Sequence, residues 1–240
     1  MTKEWPILVE PSILSGDFGQ LAVEAKRAEE AGADALHIDI MDGHFVPNLT
    51  FGPGIVAAIR KSTRLFLDVH LMIYNPYDYV ERFVEAGADR ITIHFEATED
   101  VEDTLKFIRR CNIQAGLAFC PETSMSMIPK YLDKCDLMLI MTVHPGFGGQ
   151  SFMYDALEKV EFTRGICDRL RIRKGGVALK EHESIDSRPP FDIQVDGGIS
   201  DVTASRCIES GANVLVSGSY LYSSRDMKQS IQKLKSRELA

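Results

Sequence analysis

The sequence predicts an α/β fold, a (β/α)8 TIM barrel, on three observations. Its 240 residues divide by eight into units of about 30, the size of one strand-plus-helix unit. Three stretches read alike: EEAGADALHI from Glu29, VEAGADRITI from Val84 and IESGANVLVS from Ile208. Eight short apolar runs are spread along the chain. They do not alternate strictly, as expected for strands buried on both faces. A closed parallel barrel of about 250 residues accommodates eight such strands.

The expected strands are residues 7–14, 35–40, 65–71, 90–94, 114–119, 137–143, 192–195 and 213–217. Pro11 lies within the first run and has no N–H to give a ladder, so it should mark that strand's upper end. The first helical pattern, residues 18–31, opens with Asp17 as N-cap and Gln20 three residues on, a capping-box spacing. Each repeated stretch ends a helical pattern at Glu and then places Gly32, Gly87 or Gly211 before an apolar run. Gly just past a helix end takes the left-handed cap, where a β-carbon is penalised. Pro76 suits the first turn of the third helix. Residues 169–190, RLRIRKGGVALKEHESIDSRPP, are charged and carry Gly-Gly and Pro-Pro. They read as an extended helix end plus a surface loop, an insertion near 171–190. Nothing reads as a linker, so residues 1–240 are expected to form one domain.

Composition excludes several classes. There are 27 Lys and Arg against 35 Asp and Glu, a net charge of −8, without a basic patch for nucleic acid. No run approaches the ~18 apolar residues of a membrane span. The start, MTKEWPILVE, lacks the apolar core of a signal peptide. Cys111, Cys120, Cys135, Cys167 and Cys207 form no CxxC pair. Such an odd, scattered set points to reduced thiols in a cytoplasmic protein.

In such barrels functional groups stand at the C-terminal strand ends. Here the second, third, fourth and seventh expected strands end on His37-Ile-Asp39, His70, His94 and Asp196. Residues two apart on a strand share a face, so His37 and Asp39 can both aim inward. With His70 and Asp196 they make two imidazoles and two carboxylates, a set suited to a divalent metal such as Zn, Fe(II), Mn or Co. The alternative is that His37 and His70 are hydrogen-bonded barrel histidines. Glycines concentrate after the sixth, seventh and eighth strands, in His144-Pro-Gly-Phe-Gly-Gly-Gln, Asp196-Gly-Gly and Ser217-Gly-Ser219. Those loops with a short helix N-terminus are a recurrent phosphate site. None of the three clusters contains Lys or Arg, so the phosphate would be held by neutral amides. Plain turn glycines are the alternative.

At these residues the chain resembles the ribulose-phosphate 3-epimerase family, through PSILSGDF, HIDIMDGHFVPNLTFGP, DVHLM, PGFGGQSF, VDGGI and VSGSYLY, spread from Pro11 to Tyr222. The resemblance implies a TIM barrel of the ribulose-phosphate-binding type. It implies interconversion of D-ribulose 5-phosphate and D-xylulose 5-phosphate, a step of the pentose phosphate pathway, by a homo-oligomer (dimer or hexamer). Carried over by position, His37, Asp39, His70 and Asp196 would hold the metal. Asp39 would accept the proton and Asp196 would donate one. Ser12 and His70 would contact the sugar. Gly146, Phe147, Gly148 and Gly149, with Asp196, Gly197, Gly198 and Ile199 and with Gly218 and Ser219, would hold the substrate, mostly its phosphate. Met41, Met72 and Met141 would wall the reacting carbons, or simply pack the core.

Two departures stand out. His144 occupies a position where the family carries Asn, Asp or Glu, and the stretch before the seventh strand is longer than usual. A rival reading is an epimerase for a six-carbon ketose phosphate such as allulose 6-phosphate. A decarboxylase on this barrel would need a Lys in an Asp-x-Lys-x-x-Asp run. Asp39-Ile-Met-Asp42 and Asp68-Val-His70 offer none. A non-catalytic sugar-phosphate binder would not need paired carboxylates around a metal.

Overall fold

The computed structural model describes residues 5–236. Strands and helices alternate in the order β1 (Leu8–Pro11), α1 (Leu21–Glu30), β2 (Ala35–Met41), α2 (Pro53–Ser62), β3 (Phe66–Met72), α3 (Val80–Glu85), β4 (Arg90–His94), α4 (Val101–Arg110) and β5 (Gln114–Phe119). They continue with β6 (Leu137–Met141), α5 (Ala156–Arg169), a small hairpin of β7 (Ile172–Arg173) and β8 (Val177–Ala178), β9 (Asp192–Asp196), α6 (Asp201–Glu209), β10 (Val214–Ser217), α7 (Ser219–Tyr222) and α8 (Met227–Lys235). Between β5 and β6 the crossover is a 3-10 helix, Met125–Lys130, with Pro129 inside it. A proline there denies the α-helix its hydrogen bond.

Eight strands form one parallel sheet in the order β1-β10-β9-β6-β5-β4-β3-β2. Its outer members meet: Ser12 and His37 form a parallel bridge between the ends of β1 and β2. The Asp34 N–H also donates to Val9 O at 3.0 Å. The sheet is thereby the expected barrel.

Alternation along the strands sorts two environments. Leu36, Ile38 and Ile40 of β2, Leu67, Val69 and Leu71 of β3, and Ile91 and Ile93 of β4 pack with the helices in the main core. Each such side chain, fully buried, contributes about 1.5–3 kcal/mol. The residues between them face the barrel axis. There Leu137, Leu139 and Val214 fill one side, while Glu10, Asp68, Arg90 and Gln194 form a buried polar floor. Polar side chains in such a place must satisfy one another, and here Arg90 and Gln194 both donate to Glu10 and Asp68.

The helix-end glycines behave as expected: Gly32, Gly87 and Gly211 have φ of 84°, 98° and 107°. Other local expectations need correction. Pro11 does end β1, but the run then turns into a 3-10 helix, Ile13–Ser15, rather than continuing to Leu14. Asp17 caps a 3-10 turn, Phe18–Gln20, and α1 starts only at Leu21. Gly19 lies in that first turn, and glycine weakens helix there. The Gln20 side chain donates to the Asp17 carboxylate at 3.2 Å, so no capping box forms. Pro76 opens a 3-10 turn, Pro76–Tyr79, ahead of α3.

Residues 171–190 are not only surface loop. Gly175 and Gly176, with φ of 80° and 68°, turn β7 back onto β8, pairing Ile172 with Ala178. Ile172 and Leu179 are buried, and a short 3-10 turn, Ile185–Ser187, follows. The five cysteines are free thiols. Among the described residues no helix is long and apolar enough to cross a membrane.

Candidate active site

β2, β3 and β9 bring His37, Asp39, His70 and Asp196 to one point above the polar floor. One ligand atom from each lies within 4.8 Å of all the others. His37 Nε2 stands 3.3 Å from His70 Nδ1 and 3.3 Å from Asp39 Oδ1. His70 Nδ1 is 3.1 Å from Asp39 Oδ1, and Asp196 Oδ2 is 3.9 Å from His37 Nε2. Atoms each about 2.1 Å from one ion can be at most about 4.2 Å apart, and these four separations lie within that limit, as a shared cation requires.

The donor chemistry agrees with the geometry. His37 Nδ1 faces Asp68 Oδ2 at 2.8 Å, which keeps that nitrogen protonated and turns the Nε2 lone pair toward the cluster. Asp68 is itself held by Arg90 Nε at 2.8 Å and by the Gln194 amide at 2.9 Å. Arg90 also donates to both Glu10 oxygens, at 2.8 and 2.9 Å. Arg90 is thus committed to the floor, and the cluster above it holds two ring lone pairs and two carboxylates.

The electrostatics push the two aspartates apart. Burial raises Asp39, but His37 and His70 outweigh it and hold its carboxyl far below the usual range. Burial and then the Asp39 charge push Asp196 up to about 7. Burial opposes charge on His37, yet Asp39 and Asp68 hold its pKa well above the ordinary value. Burial lowers His70. Paired groups driven in opposite directions are the mark of an acid and a base sharing one task.

A cleft opens over this cluster. Asp39 and Asp196 form part of its base, and Met41, Met72 and Met141 line it. Those three methionines are nearly fully buried otherwise. His37 and His70 lie beneath, without any exposed surface. Ser12 also lines the cleft, and its hydroxyl donates to Asp39 Oδ2 at 2.6 Å, so it holds a cluster member.

Toward the cleft's other end stand the expected glycines. Gly146, Phe147, Gly148 and Gly149 come from the loop after β6. Gly197, Gly198 and Ile199 follow β9, and Gly218 and Ser219 lead into α7. Gly198 has φ 66°, and a β-carbon there would lie 2.8 Å from Phe152 N and 2.9 Å from its Cα. Both facts demand glycine. The loop after β6 is closed by the Gln150 amide, which donates to His144 O at 2.7 Å and to Phe147 O at 2.9 Å. Asn48 donates to Gly146 O at 2.8 Å, tying this loop to the one after β2. His144 lines the cleft and pairs with Glu122.

All the expected site residues therefore gather at one end of the barrel. Sequence reasoning missed Asn48 and Gln150, and it missed Glu10, Asp68, Arg90 and Gln194 beneath the cluster. The usable signal for the latter was alternation, since Asp68 stands two residues before His70. His94, seen only as a strand-end residue, packs directly against His70, with Nε2 to Nε2 at 2.9 Å.

Comparison with known proteins agrees. The family described as "Ribulose-phosphate 3 epimerase family" matches residues 8–222. The chain is 50% identical over 222 residues to a ribulose-phosphate 3-epimerase of Chlamydia pneumoniae, covering 92% of this chain and 90% of that one. It is 44% identical to the Bacillus subtilis protein of that name, covering 95% and 98%. Among solved structures, a mutant tryptophan synthase alpha-subunit from Pyrococcus furiosus superposes with TM-score 0.65 at 14% identity, covering 98% of this chain and 99% of that one. This likeness bears on the barrel fold alone. On the family match and these identities together, the chain belongs to the ribulose-phosphate 3-epimerase family.

Proposed function

We propose that this enzyme interconverts D-ribulose 5-phosphate and D-xylulose 5-phosphate by removing and returning the proton at C3, with a divalent cation (Zn, Fe(II), Mn or Co) held by His37, Asp39, His70 and Asp196. The observation that carries this reading is the pair of carboxylates, Asp39 and Asp196, sharing one cation-sized cluster at the base of the cleft. The curated relatives' names support the reaction.

Removing the proton next to a ketone leaves an enediolate with charge on two oxygens. A divalent cation, when bound, supplies positive charge against those oxygens, worth on the order of several kcal/mol. The chain's residues do the rest. Asp39, held ionised, takes the C3 proton from one face of the substrate. Asp196 returns a proton to the other face, and in the reverse direction the roles exchange. Ser12 fixes the orientation of Asp39. Met41, Met72 and Met141 exclude water without offering a rival acid or base. The glycine loops offer backbone N–H groups to the phosphate, whose binding energy orients the reacting carbons. The same reading makes the enzyme a cytoplasmic homo-oligomer, dimer or hexamer. It treats residues 1–240 as one domain carrying residues 171–190 as an insertion.

Epimerisation of ribulose 5-phosphate against allulose 6-phosphate, with bound metal quantified, tests the proposal. The expected result is preference for the pentulose and one divalent cation per chain. Preference for allulose 6-phosphate would replace the substrate. Exhaustive chelation is expected to abolish turnover, and adding the cation back to restore it. Full activity with no metal found by elemental analysis would remove the cation from the mechanism.

Gly198→Ala tests the phosphate end separately. The strained φ and the contact with Phe152 are expected to cost about 1–3 kcal/mol of stability and to raise KM about tenfold or more, with a smaller change in kcat. An unchanged KM would detach this turn from the substrate.

A further inference from the structure

We propose that Glu96 and His94 form a positioning relay, which acts through His94 to hold His70 in the one tautomer that leaves its Nδ1 free for the cation. This inference rests on the cation reading above and adds two residues to it.

His70 turns Nδ1 toward Asp39 Oδ1, at 3.1 Å. A neutral imidazole carries one donor and one acceptor, so a ligating Nδ1 requires the proton on Nε2. That nitrogen faces His94 Nε2 at 2.9 Å, with ring planes only 24° apart. Two nitrogens so close must be one donor and one acceptor. His94 Nε2 therefore accepts, and its own proton sits on Nδ1. Nδ1 in turn faces Glu96 Oε2 at 3.1 Å, with the Cys120 sulfur farther off at 3.5 Å.

Glu96 is itself fixed as an acceptor. Its Oε1 receives the Cys120 N–H at 2.9 Å and the Thr123 hydroxyl, so Oε2 is left to meet His94. His94 has no exposed surface, so water does not replace this partner. The two ligand histidines are thus set in opposite senses. Asp68 orients His37 directly, so that Nε2 points to the cluster, whereas Glu96 orients His70 through an intervening ring.

One competing arrangement uses the same atoms. His94, Glu96 and Cys120 lie close enough to hold an ion of their own. Binding there would need the His94 Nδ1 lone pair. That would move the His94 proton to Nε2 and the His70 proton to Nδ1, closing His70 to the cation in the main cluster. The two arrangements exclude each other.

Glu96→Gln distinguishes them. Its amide oxygen can still accept from Cys120 and Thr123, while its NH2 now donates to His94 Nδ1 and reverses the chain of donors. Cation affinity, measured by chelator competition, is expected to fall about 10–100-fold. Long-range nitrogen NMR of histidine-labelled, zinc-loaded protein is expected to show His70 protonated on Nε2 and His94 on Nδ1. In Glu96→Gln, His94 should change to Nε2. The relay is overturned by unchanged affinity in Glu96→Gln, by His94 protonated on Nε2 in the parent protein, or by a second cation per chain that Glu96→Gln removes. If the parent protein takes up no cation, the cation reading fails on its own. The ring tautomers of that cation-free protein then decide the relay, with Nε2–H on His94 counting against it.

Discussion

Asp39→Asn and Asp196→Asn are each expected to lower kcat by about 10²–10⁴-fold through lost proton transfer alone, with further loss from a weakened cation site, while the fold persists. The folds should survive because asparagine keeps the shape of each side chain. At position 39 the amide oxygen can still accept from Ser12, which now donates to Oδ2 at 2.6 Å. The NH2 group can then face the His37 and His70 lone pairs. Circular dichroism and thermal melting check the fold, and steady-state kinetics checks turnover. The two variants should also differ from each other. Asp196→Asn keeps the base that opens D-ribulose 5-phosphate, so solvent deuterium should still enter that substrate slowly without net epimerisation. Asp39→Asn should show the mirror behaviour with D-xylulose 5-phosphate. Near-normal turnover in either variant would remove that residue from its role.

The site residues were legible because the barrel converts sequence position into place. Strand period put His37 and Asp39 on one face, and strand ends put His70 and Asp196 beside them. What holds these residues was less visible, for a physical reason. Arg90 meets Glu10 across 80 positions, and Gln194 meets Asp68 across 126. Closure of the barrel makes these contacts, and no local spacing encodes them. His94 stood at a strand end in plain view, but its partner is anchored from the turn after β5, which only the fold brings near. The hairpin of β7 and β8 escaped because two-residue strands are too short to show a period. The late start of α1 escaped because Asp17 and Gln20 have capping-box spacing, yet Asp17 caps only a 3-10 turn through the Gly19 N–H and the Gln20 side chain turns to the Asp17 carboxylate instead of the backbone.

Arg90→Met should cost about 3–5 kcal/mol of stability, more than Gly198→Ala or either aspartate variant. Arg90 is 4% exposed, and its partners Glu10 and Asp68 are 2% and 0% exposed. Among the described residues, removing the guanidinium leaves two buried carboxylates with only the Gln194 amide, the Thr92 hydroxyl and the His37 ring as donors. At about 2–4 °C per kcal/mol for a chain of this size, the melting temperature should drop by roughly 10 °C. The deficit has a defined pH dependence. Burial raises Glu10 to about 7 against the pull of Arg90; without Arg90 it must rise further. A carboxyl raised in the folded state takes up a proton on folding, so the stability tied to it is lost as pH rises through the folded pKa. The gap between parent and Arg90→Met should therefore widen from pH 6 to pH 8. Adding Glu10→Gln to Arg90→Met should recover part of the loss and flatten that trend. A cost below about 1 kcal/mol at both pH values would mean that the barrel floor does not depend on this charge. In that case the orientation of His37 would have to rest on Asp68 without Arg90 behind it.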